Sequence, residues 1–555
     1  MSSADSSTPS VRSLIAGFLL SILLCGVNSY LTLSFGVIEE GPTIAALLFF
    51  ATFFLSRVKI RSHEMVMVAT MGSAGGSLGF ITNFYAAEAM VGSPYGFWQM
   101  VGFSVSTSLV GMAFVVPLRE MLILRENLPW PGSKATESVI RALVEKGDPK
   151  QPLHLLASGV LCIAWVLSNT DGGFGLVPDA SEIPLFGLAA FGLAIAWSPF
   201  AIGGAYLMGF RACVGFLVGG IALLVMAPHL PTPAAPHRYP WPGIGFLVAS
   251  GLVQLALNGR VVVESFRSLF RKRAVEVDAD PIMSSKALLA FGTVAVLFTT
   301  IFAWLSLDLS PFVVLLLVVV GGFLQNVIAT RAAAQTAFNP ARVMGVLLQS
   351  ITALAGAPSA GANLAGAGMV AGSGAQAGNL AGDLVYGRAL HVPARQQFFA
   401  QLTTIVPCSL VSAWVFTQLA KTSPMSIEGE GLPAPVAKMW AATALVFDGR
   451  TDMPPFAWQA MGIGALVGGL YVLFERNPAI ATYLPHSIGI GIGLVLPIAY
   501  DLAFFVGGVL LYGLFGRVFG MRNVTLTTIA VGAIVAEGLG GVLKPVLSLI
   551  GIIEG

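Results

Sequence analysis

Charge is what this sequence has least of. Asp, Glu, Lys and Arg make up only 10% of its 555 residues, against roughly 25% in soluble domains, so the chain cannot cover a water-facing surface with ions. Cysteine is as sparse. Cys25, Cys162, Cys213 and Cys408 all fall in apolar segments, where they read as small hydrophobes, and no CxxC spacing or disulfide framework is present. No G-x-x-x-x-G-K-[ST] occurs, which excludes ATP hydrolysis by a P-loop in this chain. His63-Glu64 begins like a zinc-protease motif, but position 67 is Met, and there is no G-x-S-x-G elbow. A net charge of +2 and the lack of basic tracts interleaved with aromatics leave no footprint for nucleic acid. No metal site and no cofactor are expected, and the chain does not read as an enzyme.

What the sequence has in excess is apolar length. Its residues are 56% hydrophobic, with a mean hydropathy of +0.83. No charged residue occurs in 13–38, 65–87, 89–118, 183–210, 287–307, 309–330, 396–420 or 453–474. Each run reaches the ~20 residues that cross a hydrocarbon core, and 343–382 is long enough for two short crossings or a hairpin. The fold class expected is all-α: a polytopic transmembrane bundle of about 16 helices (15–17), with short broken or re-entrant segments. Residues 1–12 are expected to form a disordered cytoplasmic lead, since the first apolar run outlasts a signal-peptide core. Arg57, Lys59 and Arg61, the six cations from Arg119 to Lys150, and Arg260 to Arg273 fall in alternate loops. The opposite loops, such as Glu39–Pro42 and Asp171–Pro184, carry acids but no Lys or Arg. The positive-inside rule then predicts a cytoplasmic N-terminus in a cell inner (plasma) membrane.

The chain reads as duplicated. Leu128-Pro129-Trp130-Pro131-Gly132-Ser133-Lys134 returns as Leu432-Pro433-Ala434-Pro435-Val436-Ala437-Lys438, an offset of 304. Gly72–Leu78 aligns with Gly374–Leu380 at an offset of 302. The expected organisation is a first repeat over 13–262, a cytoplasmic linker over 263–285 and a second repeat over 286–555. Repeated halves are a common transporter construction, with the site between them. Whether the halves run parallel or inverted stays open, because helix 286–306 is unmatched. Each Pro-bearing segment is expected to turn sharply and then start a helix.

Polar groups inside apolar runs are costly in lipid and therefore mark function. Asn28 and Tyr30 sit in the first helix, and Gln325 and Asn326 in the 309–330 run. Gln376, Asn379 and Asp383 form one helical stripe, with Tyr386 close by. Asp501 divides the 477–516 region, and Glu537 interrupts the last helix. Two readings stand for each: the amides either line a substrate path or bond helices together, and the acids either trade protons or sit at a membrane boundary. The Gly/Ala-rich stretch 355–382 likewise reads either as close helix packing or as a broken helix.

Asn28-Ser29-Tyr30-Leu31-Thr32-Leu33-Ser34-Phe35-Gly36 resembles the Asn-Pro-Tyr-x-Gly-Leu-x-x-Gly stretch of oligopeptide transporter (OPT) family proteins. Leu128–Pro131 followed by Lys134-Ala135-Thr136-Glu137 resembles that family's Leu-Pro-Phe-Pro segment. The block Gly387 to Gln401, with Pro393, Arg395 and Phe398, is similar to its Gly-x-x-x-x-x-Pro-Pro-Arg-x-x-Phe-x-x-Gln block. Ser29, Thr32 and Ala394 depart from the pattern, the Asn-Pro-Gly motif of the eukaryotic peptide-transporting branch is missing, and the short loops look prokaryotic. The resemblance implies proton-coupled symport of small peptides or peptide-like metal chelates, as in the yellow stripe-like branch, with protons, a small-molecule substrate and the lipid bilayer as partners. Homo-oligomerisation is compatible with it. The expected substrate-binding set is Asn28, Tyr30, Gln325, Asn326, Gln376, Asn379, Asp383, Tyr386 and Gln401. Asp383, Asp501 and Glu537 are the expected proton-coupling acids. An uncoupled channel and a membrane-embedded enzyme are the alternatives.

Overall fold

The structure is a computed structural model that describes residues 9–36, 41–55, 60–126, 128, 130–146, 150–170, 173–257, 280–336, 341–429, 431–449, 454–477, 479–549 and 552. Among these, 11 helices are long and apolar enough to cross a membrane, and shorter apolar helices fill the spaces between them. The chain is a multi-pass, all-α membrane protein. Arg57, Lys59, Glu39, Asp171 and the linker cations Arg260 to Arg273 lie outside the described residues.

In chain order the first helices are α1 (Val11–Phe35), α2 (Gly41–Leu55), α3 (Ser62–Met90) and α4 (Phe97–Leu118), the last continuing into a π-helical turn over Arg119–Arg125. Then come α5 (Pro131–Lys146), α6 (Lys150–Ser168), α7 (Pro199–Met208), α8 (Phe210–Met226) and α9 (Trp241–Leu257). Beyond the linker lie α10 (Ser285–Ser306), α11 (Pro311–Leu315), a π turn over Leu316–Gly321, and α12 (Gly322–Thr336). The remaining helices are α13 (Ala341–Leu354), α14 (Ala360–Ala389), α15 (Ala394–Thr422), α16 (Pro435–Phe447), α17 (Ala457–Glu475), α18 (Ser487–Gly493), α19 (Ile498–Gly508) and α20 (Asn523–Leu549). A two-stranded antiparallel hairpin, β1 (Ala180–Glu182) with β2 (Ala194–Ala196), decorates the α6–α7 connection.

Local sequence explains the ends. Ser10 caps α1 by accepting from the Ser13 amide, and Gly36 closes the helix at φ 69°, a left-handed conformation that glycine adopts without strain. The helix therefore starts inside the expected N-terminal lead. α14 is capped by Ser359 and runs unbroken for 30 residues, 25 of them buried. The broken-helix reading of 355–382 is thus corrected. The small residues instead let neighbours in: a Cβ at Gly368 would stand 2.6 Å from Phe84, and one at Gly366 2.7 Å from Thr352. Lipid-like surroundings supply no driving force between helices, so this close approach is what binds the bundle.

Both Pro-bearing segments turn as expected. Trp130 (φ 45°) and Ala434 (φ 38°) take left-handed backbones immediately before a helix that opens on proline. The Trp130 amide donates to Ala334 O of α12, and the Ala434 amide donates to Leu33 O of α1, each at 2.7 Å.

Contacts at the helix ends fix the directions. One end of the bundle gathers the starts of α1, α3 and α15: Arg12 pairs with Glu64, and His63 Nε2 meets Gln396 Oε1 at 2.8 Å. The Ala394 amide donates to Asp280 there (2.7 Å), and Arg331 near the end of α12 pairs with Glu126. The opposite end holds Gln99 donating to Ser306 O (2.7 Å) and Tyr239 OH donating to Pro455 O (2.7 Å). Hence α1 and α3 leave the first end, whereas α11–α12 and α14 run back towards it.

Candidate functional site

The central helix α14 presents two polar faces. On the face towards α3 and α15, the Asn379 amide donates to Ser77 Oγ (2.6 Å), and Tyr386 OH donates to Asp383 Oδ1 (3.0 Å). Gln397 of α15 donates to Thr70 Oγ1 (2.8 Å) and to the Asp383 carbonyl (2.9 Å). Asp383 is buried several residues before the helix end, its Oδ2 has no hydrogen-bond partner, and Arg388 points out to the surface. Gln401 follows Gln397 by one turn on the same face of α15 and is fully buried.

On the other face, Asn326 of α12 donates to Ser373 Oγ (3.0 Å) and to its own Gly322 carbonyl (2.6 Å). Gln325 lies over Gly374, where a Cβ would stand 3.0 Å from its amide nitrogen. Gln376, on the same stripe as Asn379 and Asp383, packs into α4 at Gly111, where a Cβ would stand 2.8 Å from that of Gln376. Gln325, Gln376 and Gln401 are each at most 1% exposed, and among the described residues neither amide atom of any of them has a partner. Native interiors rarely leave such groups unsatisfied, and each orphan costs of order 1–3 kcal/mol. Three fully orphaned amides around one helix can exchange both donor and acceptor bonds with a peptide-like ligand.

The other expected residues are dispersed. Asn28 packs against Gly79 on the α1 side of α3 and donates to Leu24 O (3.0 Å), while Tyr30 lies under Gly541 of α20. Asp501, in the first turn of α19, is fully buried against Gly220 of α8 with neither oxygen bonded. Glu537 sits beside Ser198 and the Phe200 backbone at the start of α7, its Oε2 unpartnered. A helix N-terminus offers a carboxylate a favourable field, so this acid has a local reason to be there.

Several groups escaped the sequence reading. Thr70, Ser77 and Ser373 carry no signal in a small-residue stretch. Gln397 was visible as the residue one turn before Gln401. Glu88 is the lone charge between two uncharged runs; it is buried at the end of α3 and accepts from Ser93 Oγ and Tyr95 OH, each at 2.7 Å. No group of three or more His, Cys, Asp or Glu able to hold a metal ion occurs among the described residues.

Comparison with known proteins agrees with the architecture. The family model described as OPT oligopeptide transporter protein matches residues 9–547. The chain is 21% identical over 655 aligned positions to the "Putative oligopeptide transporter YGL114W" of Saccharomyces cerevisiae, covering 90% of each chain. It is 28% identical over 199 residues to a "Putative oligopeptide transporter" of Haemophilus influenzae (35% of this chain, 30% of that protein). It is 28% identical over 219 residues to the "Probable metal-nicotianamine transporter YSL4" of Arabidopsis thaliana (33% of this chain, 32% of that protein). The last two matches thus span about a third of the relatives' length. With a family match across almost its whole length and a bundle of membrane-crossing helices to carry it, this chain belongs to the oligopeptide transporter family.

Proposed function

We propose that the chain is a secondary active transporter that couples inward movement of small peptides or peptide-like metal chelates to protons. The observation that carries this reading is the set of three buried, unpartnered glutamines, Gln325, Gln376 and Gln401, around α14. A peptide or an amino-acid-derived chelate offers the alternating donors and acceptors that these amides lack. Asn379, Asp383 and Tyr386 add polar groups on the face of that helix turned to α3 and α15, and the names of the relatives point to the same two substrate classes. Asp383, Asp501 and Glu537 are assigned to proton exchange, since each is a buried acid with at least one unbonded oxygen.

The halves 13–262 and 286–555 are taken as inverted repeats, supported by the opposite directions of α1 and α11–α12. Rocking of one half on the other would expose the α14 site alternately to each side. The basic loops support a cytoplasmic N-terminus in an inner-membrane protein.

Uptake into proteoliposomes tests the reading, with di- to hexapeptides and metal chelates as substrates and a pH electrode in the external medium. The expected result is external alkalinisation in step with substrate entry. Uptake that survives a collapsed pH gradient but stops on sodium removal overturns the coupling, and flux with no ion movement supports a channel instead.

A further inference from the structure

Lys438 is the cation in the second Leu-Pro-x-Pro-x-x-Lys segment, and its surroundings differ from those of Lys134 in the first. Lys134 is exposed at the end of the bundle that holds the N-terminus. Lys438 lies at the opposite end, in the first turns of α16, and is 3% exposed. No hydrogen bond or ion pair to its ammonium occurs among the described residues. A buried cation without a partner is costly and is retained where something else pairs with it.

Its neighbours leave that positive charge available. Glu428 is the acid whose field reaches it, but its Oε1 accepts from Trp241 Nε1 at 2.6 Å. His237 adds no second anion or acceptor charge; burial first, then Lys438 and Arg238, push it down to about 4, so it is neutral near pH 7. The start of α16 adds to the same potential. No side chain caps its first turn, no acid lies in that turn, and the helix dipole points its positive end there.

We propose that Lys438, with the uncapped start of α16, receives the carboxylate of the substrate at the end of the bundle opposite the N-terminus. The ligand class is an anionic peptide C-terminus or the free carboxylate of an amino-acid-derived chelate. The assignment rests on the transport reading above and adds to it the group that selects acids over their amides. A buried ammonium binds carboxylate as a point charge, so discrimination should depend on charge more than on fork geometry.

The test measures equilibrium binding of radiolabelled trialanine to the full chain in lipid nanodiscs, with trialanine amide as competitor. Wild type should favour the free acid about tenfold. Lys438→Met, which replaces an unpaired buried charge with an apolar group of similar length, should abolish that preference while leaving amide affinity unchanged. Lys438→Arg should keep most of it. The wild-type ratio requires no variant to fold. Trialanine binding with no preference over the amide, or a preference that survives Lys438→Met, overturns the Lys438 assignment and leaves the transport reading standing. If wild type binds neither trialanine nor a nickel–nicotianamine chelate, both fall together.

Discussion

The side-chain amide of Asn379 donates to the hydroxyl of Ser77 at 2.6 Å, and the two residues stand 302 positions apart. That is the offset at which Gly72–Leu78 aligns with Gly374–Leu380, so each residue meets its own counterpart across the α3–α14 contact. Phe216 and Phe504 do the same at an offset of 288: their rings stack with centroids 4.5 Å apart and an interplanar angle of 14°. Around that pair, Gly219 packs on Ile490 while Gly507 packs on Ile202, and Gly220 faces Asp501 while Gly508 faces Cys213. Such reciprocity is what a two-fold relation produces, because only positions near the axis touch their own equivalents. On the inverted arrangement proposed above, such an axis would lie in the membrane plane, close to the α14 site.

The Ser77–Asn379 bond should be replaceable one partner at a time with a measurable coupling. Ser77→Ala and Asn379→Ala are each expected to raise the apparent KM several-fold with folded yield nearly unchanged. In a double-mutant cycle on thermal stability the pair should couple by about 0.6 kcal/mol, as hydrogen bonds within membranes typically do. Loss of expression with normal transport per molecule would assign the pair to packing alone.

The buried acids should separate coupling from translocation. Asp383→Asn, Asp501→Asn and Glu537→Gln keep shape while removing the titrating proton. Those that carry the proton are expected to lose pH-driven accumulation and retain substrate counterflow between equal pH values. An acid whose neutral variant still accumulates substrate against a gradient is structural. Asp501 is the sharpest case, since the position 288 residues earlier is Cys213, so the proposed repeat carries this acid on one side only.

Composition alone made the bundle legible, because hydrocarbon tolerates few other architectures. Polar spacing also disclosed the α14 stripe, since Gln376, Asn379 and Asp383 share a helix face whatever surrounds them. What the sequence did not disclose was which neighbours meet that face. Asn28 and Tyr30 both belong to the first helix, yet Asn28 faces Gly79 of α3 and Tyr30 faces Gly541 of α20. Glu537 reads in the sequence only as a charge interrupting the last helix, and the start of α7 beside it is visible only in the fold. Such partnerships arise from contacts hundreds of residues apart, which local periodicity does not encode.

Acid should weaken the loop that carries His237. Burial, then the nearby Lys438 and Arg238, hold this imidazole down to about 4, below its ordinary 6.5. The opened loop therefore takes up a proton first as pH falls, and stability is lost between about pH 6.5 and 4. A nanodisc melt should show Tm falling from pH 7 to pH 4.5, with a smaller fall in His237→Gln. An identical pH slope in the variant would remove His237 from the account.

The proposed opposite directions of the two halves can be tested chemically. Ala437 is fully buried, so a cysteine there would be unreachable, but Lys134 and Thr422 are exposed near the two segments. Lys134 follows the turn that bonds to Ala334 at the end shared with the N-terminus, while Thr422 ends α15 at the other end, ahead of the turn that bonds to Leu33. With Cys25, Cys162, Cys213 and Cys408 replaced, Lys134→Cys and Thr422→Cys should react with an impermeant maleimide from opposite sides of sealed vesicles. With Lys134 on the cytoplasmic face, as proposed from loop charge, right-side-out vesicles should label Thr422→Cys and spare Lys134→Cys until they are permeabilised. Labelling of both from one side would mean parallel halves, which is incompatible with an axis in the membrane plane and with the Ser77–Asn379 pair as its marker.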